Sequence, residues 1–176
     1  MPGPTFCEGD VVELRTIEEE DADFLQQTIN DPRVRTSLAA VDPKNREQER
    51  EWVESLGDTE GVHLLVCVDG EPVGNISLKP PNEVWGVVEI GYMITPEQWG
   101  NGYATDAVAT LCGYAFDERR LNKVYATCYA TNPASGRVLE KVGFKEEGLL
   151  RAEGFVDGEH VDMYRYGLLA DEWQRD

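Results

Sequence analysis

The sequence predicts a single α/β domain over residues 1–176, and three observations carry that expectation. A glycine-rich turn, Trp99 to Thr105, joins a strand-like run, Val87 to Thr95, to a helix-like run, Tyr103 to Phe116. Asp69-Gly70 and Asp157-Gly158 each separate two runs of strand character, the pattern of a tight hairpin. Strand-like and helix-like runs otherwise alternate without repeats or low-complexity linkers. A chain of 176 residues buries an adequate core as one domain.

In chain order, Val11 to Arg15 reads as a first strand and Glu18 to Ile29 as a helix with Phe24, Leu25, Thr28 and Ile29 near one face. Asp31-Pro32 stops it, because the residue before a proline is pushed out of the helical region. Asn45 to Leu56 reads as a second helix, acidic outside, with Trp52, Val53 and Leu56 turned inward. Val62 to Val68 and Glu71 to Leu78 flank Asp69-Gly70, and Pro72 suits the edge of such a pair. Pro96 ends the strand that reaches Thr95. The helix from Tyr103 puts Ala104, Ala107, Val108, Leu111 and Ala115 on one face, which packs on the sheet and leaves the first turn free. A strand, Lys123 to Tyr129, and a short helix opening at Asn132-Pro133-Ala134-Ser135 follow. Phe155 and Val161 to Tyr166 flank the second hairpin turn.

The junction at Gly100 and Gly102 reads as a phosphate cradle. Residues without Cβ let an anion approach the backbone N–H groups, which point outward at the positive end of a helix. A bland tight turn would also explain a short Gly-x-Gly, so its surroundings matter. The third glycine of a dinucleotide fold is missing, since Thr105 and Asp106 follow Gly102. The Gly-Lys-Ser/Thr of a mononucleotide loop is missing as well.

Gly91-Tyr92-Met93-Ile94, Trp99-Gly100-Asn101-Gly102-Tyr103-Ala104-Thr105-Asp106-Ala107, Asn132-Pro133-Ala134-Ser135 and Glu140-Lys141-Val142-Gly143-Phe144 together resemble the GNAT acetyltransferases, specifically the RimJ/RimL-like branch. Leu14-Arg15 and Asp31-Pro32-Arg33-Val34-Arg35 extend the resemblance over nearly the whole chain. Trp99 stands where the wider superfamily has Gln or Arg, while Gly102 and Ala104 occupy its small positions. The resemblance implies a mixed, mostly antiparallel sheet with splayed central strands flanked by helices, and acetyl-CoA as cosubstrate. It places the diphosphate at Trp99 to Thr105 and the pantetheine beside the backbone of Met93, Ile94 and Thr95, with Asn132 as a further partner.

Acetyl transfer requires a thioester held beside an amine, an amine that is neutral when it attacks, and a proton for the departing thiolate. Glu89 lies two residues before Gly91, on the strand face that also carries Met93, and is the candidate general base, acting through water. A solvated strand carboxylate is the alternative. Ser135 is the candidate proton donor to sulfur, with a helix-capping hydroxyl as its alternative, and Tyr129 is a second donor. His63 and His160 read as ordinary residues. The acceptor expected from the branch is a protein N-terminal α-amine. On basicity an α-amine near pKa 8 is about one-tenth neutral at pH 7, against well under a thousandth for lysine. Amino acids, polyamines and aminoglycosides are the alternative acceptors, and a non-catalytic acyl-CoA-binding module is the alternative of another class. Asp31 to Pro43 and the turn at Asp157-Gly158 are the expected specificity segments. A homodimer stays open.

No apolar run approaches the roughly 20 residues that span a bilayer, and no charged-then-apolar leader opens the chain, so the sequence reads as cytoplasmic. Cys7, Cys67, Cys112 and Cys128 are too scattered for a zinc site and read as small buried residues. With 34 acids against 16 Lys and Arg, the net charge of −18 repels nucleic acid and anionic membrane. It also disfavours an anionic cofactor, which makes oriented loop amides and local cations such as Arg137 and Lys141 important.

The acidic excess is spread along the chain, which fits adaptation to high intracellular salt. Screening shortens from about 10 Å at 0.1 M to about 3 Å at 1 M, so self-repulsion fades. The melting temperature should rise between about 0.1 and 2 M KCl, mostly below about 1 M, with NaCl acting alike. Thermal melts check this, and a flat or falling curve removes the salt-adaptation reading.

Overall fold

Local chemistry sets most of the element boundaries in the structure, a computed structural model describing residues 2–173. The strands are β1 (Thr5–Glu8), β2 (Glu13–Thr16), β3 (Val62–Val68), β4 (Glu71–Leu78), β5 (Val87–Ile94), β6 (Lys123–Tyr129), β7 (Lys145–Val156) and β8 (Glu159–Leu169). The helices are α1 (Ala22–Asn30), α2 (Pro32–Arg35), α3 (Arg46–Ser55), α4 (Tyr103–Asp117) and α5 (Pro133–Val142). Asn45 starts α3 through a reciprocal box with Gln48, each side chain bonding the other's backbone N–H at 2.9 Å. Both Asp-Gly turns take left-handed φ at both positions, 51° and 79° at Asp69-Gly70 and 51° and 84° at Asp157-Gly158, as a type I′ hairpin demands.

Several expectations shift. The N-terminal strand begins at Glu13 instead of Val11, because Gly9 to Val12 turn the chain back onto β1, a short edge strand with little alternation in its sequence. The helix expected from Glu18 opens as a 3₁₀ turn, Glu19–Asp21, before α1. Asp31-Pro32 does end α1, yet Asp31 Oδ1 then accepts the Arg33 N–H at 2.8 Å and starts α2. Pro72 is not on an edge strand: β4 lies between β3 and β5, and Pro72 is accommodated where the β3–β4 register shifts. The last hairpin is longer than its sequence pattern, since pairing runs from Val156–Glu159 as far as Lys145–Gly167.

The sheet runs β1-β2-β3-β4-β5-β6-β8-β7, and every neighbouring pair is antiparallel except β5–β6. That parallel ladder covers only Val87–Glu89 against Lys123–Tyr125. Beyond Glu89, β5 stays with β4 as far as Gly74–Ile94, while β6 stays with β8 as far as Tyr129–Met163. The two halves of the sheet therefore diverge.

Each face has its own core. Val88, Ile90 and Ile94 of β5 meet Ala107, Val108, Leu111 and Ala115 of α4, the stripe expected from the sequence, with Leu139 of α5 and Leu168 of β8. On the other face, Leu65 and Cys67 of β3 pack with Ala22 and Leu25 of α1 and Val53 of α3. The four cysteines are free thiols, and Cys67, Cys112 and Cys128 are buried. No helix among the described residues is long and apolar enough to cross a membrane.

Asp106, one turn into α4, ties the N-terminal hairpin to this frame. Its carboxylate accepts the N–H groups of Asp10, Val11 and Val12 at 3.0, 2.7 and 2.8 Å. Asp106→Ala removes three charge-assisted bonds while water re-solvates the exposed donors, so it should destabilise the protein by about 1–3 kcal/mol. Chemical denaturation measures the change, and a loss below about 0.5 kcal/mol would show that water replaces the carboxylate fully.

Candidate active site

Divergence of β5 from β6 creates a slot whose walls are main chain. Thr95 N–H bonds Val73 C=O at 2.8 Å and Lys79 N–H bonds Glu89 C=O at 2.9 Å. Antiparallel alternation then directs the polar groups of Met93 and Thr95 toward β4 and those of Tyr92 and Ile94 into the slot. The sequence reading assigned slot contacts to Met93, Ile94 and Thr95. Pairing with β4 occupies the polar backbone groups of Met93 and Thr95, so of the three only Ile94, together with Tyr92, directs its backbone groups toward the slot.

At the slot's mouth the chain turns through Pro96–Gln98 into α4. Trp99 is half exposed, and its indole N–H donates to Ile94 C=O at 2.8 Å, holding the turn against the strand end. Asn101 Nδ2 donates to Gln98 C=O at 3.0 Å. Gly100 and Gly102 have φ of 80° and 79°, and a Cβ built on either meets nothing within 4 Å. No side chain among the described residues caps α4. The N–H groups opening α4 at Tyr103, Ala104 and Thr105 thus face open space at the positive helix end, which suits a diphosphate. Arg137 and Lys141 lie exposed one turn apart on α5 and have no ion pair among the described residues.

Across the slot, Ser135 Oγ lies 2.8 Å from the Tyr92 hydroxyl. Burial pushes the Tyr92 pKa up to about 12, against the smaller opposing effect of its Ser135 bond, so the pair stays protonated at neutral pH. The α5 cap is Asn132, whose side chain accepts the Ser135 N–H at 3.4 Å. The capping role considered for Ser135 belongs to Asn132, which leaves the Ser135 hydroxyl facing Tyr92. Tyr129 is buried on β6 with its ring against Gly154, where an added Cβ would come within 2.5 Å.

The other face of β5 carries Glu89, Gly91 and Met93, as alternation requires. Glu89 Oε2 pairs with Lys79 Nζ at 2.8 Å and accepts the Tyr125 hydroxyl at 3.4 Å. Arg165 stacks on the Tyr125 ring, 3.8 Å from its centre. Beside this row opens a cavity of about 340 Å³ between the sheet and α1 and α3. Gly91, Ser77 and Asn75 form its floor, Ile29, Leu38 and Trp52 its apolar walls, and Glu49 reaches in from α3. Gly91 keeps the floor open, its nearest neighbour to an added Cβ being Ser77 Oγ at 3.7 Å.

Of the expected specificity segments, Asp31 to Pro43 contributes Leu38, whereas the turn at Asp157-Gly158 does not line the cavity. His160 packs on Phe155, and His63 is a strand residue of β3 whose Nδ1 is buried without a partner among the described residues and whose pKa burial lowers. The sequence reading missed Tyr92, Asn75 and Glu49. Tyr92 belongs to the Gly91-Tyr92-Met93-Ile94 motif, and Glu49 lies among the other acids of α3. Its spacing of three and four residues before Trp52 and Val53 was the available signal.

Residues 12–145 match the acetyltransferase (GNAT) domain family. The chain is 35% identical to the putative ribosomal N-acetyltransferase YdaF of Bacillus subtilis (strain 168) over 93% of each chain. It is 30% identical to spermidine N(1)-acetyltransferase of Escherichia coli (strain K12), over 92% of this chain and 88% of that one. Mycobacterium smegmatis RimJ, solved in complex with CoA-disulfide, superposes with a TM-score of 0.85 at 26% identity, covering 99% of this chain and 90% of that one.

Burial holds the Glu49 carboxyl above the usual carboxylate range, with Lys44 pulling more weakly the other way. A group with a raised folded-state pKa stabilises the fold while protonated, and that stability is lost as pH rises through the raised value. Glu49→Gln imitates the protonated form. It should match the parent near pH 4 and exceed its melting temperature increasingly toward pH 7, by roughly a few degrees. Thermal melts across that range check the sign, and a variant less stable at neutral pH would make Glu49 a structural charge.

Proposed function

Since this chain belongs to the GNAT family and is an acetyl-CoA-dependent N-acetyltransferase, we propose that it acetylates protein N-terminal α-amines by direct attack within a ternary complex. The observation that carries this reading is an open cavity, on the sheet face of Gly91, beside a slot lined by main-chain groups. An extended terminus enters such a cavity from solvent, with its first side chain against Ile29, Leu38 and Trp52. The α-amine is also the more readily deprotonated nucleophile at neutral pH. The similarity to YdaF, named a ribosomal N-acetyltransferase, supports the same reading.

In this scheme the amides of Gly102 to Thr105, with Gly100 and Asn101 shaping the loop, receive the cosubstrate's diphosphate, and Arg137 and Lys141 supply the local positive charge. Tyr92 and Ile94 hold the pantetheine through their backbone groups, and the Met93 side chain borders the acceptor. Glu89 takes the amine proton through water; Lys79 and Tyr125 fix its carboxylate. Ser135, its Oγ held by the Tyr92 hydroxyl 2.8 Å away, donates its proton to the departing thiolate, and the proton that Glu89 takes from the amine returns to Ser135 through solvent. Tyr129, on the other wall, is the second donor. The protein acts in the cytoplasm, and its acidic surface suits basic protein substrates.

A thiol-release assay tests the acceptor. Peptides with free N-termini should outperform N-terminally blocked lysine peptides and aminoglycosides, and activity on polyamines alone would overturn the α-amine reading. Glu89→Gln should lower kcat about 10²-fold at neutral pH with cosubstrate affinity unchanged. Single-turnover kinetics reads the chemical step, and a rate within about twofold of the parent would leave Glu89 as the structural partner of Lys79.

A further inference from the structure

The cavity contains a charge that the fold does not use. Asp21, Thr28 and Glu49 are buried polar residues. Asp21 accepts the Glu18 N–H at 2.8 Å, and the Thr28 hydroxyl donates to Phe24 C=O at 2.9 Å. Glu49, only 7% exposed, has no side-chain hydrogen bond or ion pair among the described residues, and it lines the cavity. On the floor, Asn75 Oδ1 is buried and also lacks a donor. The neighbouring acids of α3, Glu47, Glu51 and Glu54, are exposed, so helical spacing alone turns Glu49 inward. Lys44, exposed at the rim, is the nearby cation, and His63 beneath Trp52 is held toward its neutral form by burial.

We propose that Glu49, together with Asn75 Oδ1, anchors a second cationic N–H group of the acceptor, so that the enzyme selects amines carrying an ammonium or guanidinium near the acetylated nitrogen. This rests on the acceptor occupying the cavity as described above. The anchored group is distinct from the nucleophile. A carboxylate beside an amine favours its protonated form, whereas the attacking amine must be neutral. The nucleophile therefore lies away from Glu49, toward Gly91, and the apolar walls that share the cavity with both match a methylene spacer. Glu49 is accordingly a specificity residue and takes no part in proton transfer.

The probes are 1,5-diaminopentane and pentylamine, titrated into CoA-saturated protein and followed by nuclear magnetic resonance, which needs no turnover. The parent should bind the diamine about tenfold or more tightly than the monoamine, the scale of a charge-assisted hydrogen bond. Glu49→Gln should abolish that advantage and leave pentylamine unchanged. Lys44→Met, which removes the competing cation, should strengthen diamine binding. In turnover the loss in Glu49→Gln should fall on the diamine KM, with kcat within about twofold. Equal affinity of the parent for both probes, or equal weakening of both in the variant, would overturn the proposal. So would a fall in the neutral-pH melting temperature of Glu49→Gln, which would make Lys44 its structural partner. If free N-termini fail as acceptors while the diamine advantage persists, the α-amine reading falls and the role of Glu49 stands.

Discussion

The parting of β5 from β6 after Glu89 is the constraint on which the rest of the structure depends. A ladder of only three residue pairs leaves the following half of β5 bonded on one side, so Tyr92 and Ile94 keep polar backbone groups facing the gap. In a closed sheet those groups would be spent on β6. The same divergence lets α5 approach, which brings Ser135 to the Tyr92 hydroxyl at 2.8 Å. It also lets the Trp99 indole bond Ile94 C=O, which fixes the turn that delivers the uncapped start of α4 to the slot.

Charge is managed locally against an unfavourable average. A chain of net charge −18 gains nothing from its global field when it binds an anionic cosubstrate. The fold leaves the first amides of α4 uncapped and Arg137 and Lys141 exposed with no ion pair among the described residues. Asp106, one turn into α4, is directed away toward the N-terminal hairpin, where three backbone N–H groups occupy its carboxylate. One carboxylate thereby fastens the N-terminal hairpin.

The two faces of β5 divide the chemistry. Even-numbered residues from Val88 to Ile94 face α4, and Tyr92 carries that side to the slot and Ser135. Odd-numbered residues face α1 and α3, where Gly91 and Met93 line the cavity and Glu89 shares their face of the strand. Glycine at 91 is what keeps this side open, because any side chain there would project onto the cavity floor beside Ser77.

The sequence by itself determined the local events: the Asp-Gly hairpins, the amphipathic stripe of α4, the Gly100 and Gly102 turn, and which face of β5 carries Glu89. Each depends on residues a few positions apart, so periodicity and turn chemistry suffice to read it. Family resemblance added the splayed sheet and the cosubstrate. Only the tertiary structure decided which backbone groups of β5 remain free, because that depends on the register with β4 and on where β6 departs. It likewise decided that Asn132 caps α5, that Asp106 holds residues about 95 positions away, and that one acid of α3 lies buried over the cavity without an ion pair among the described residues. Those facts are set by the packing of remote segments on both sheet faces, which no local pattern along the chain encodes.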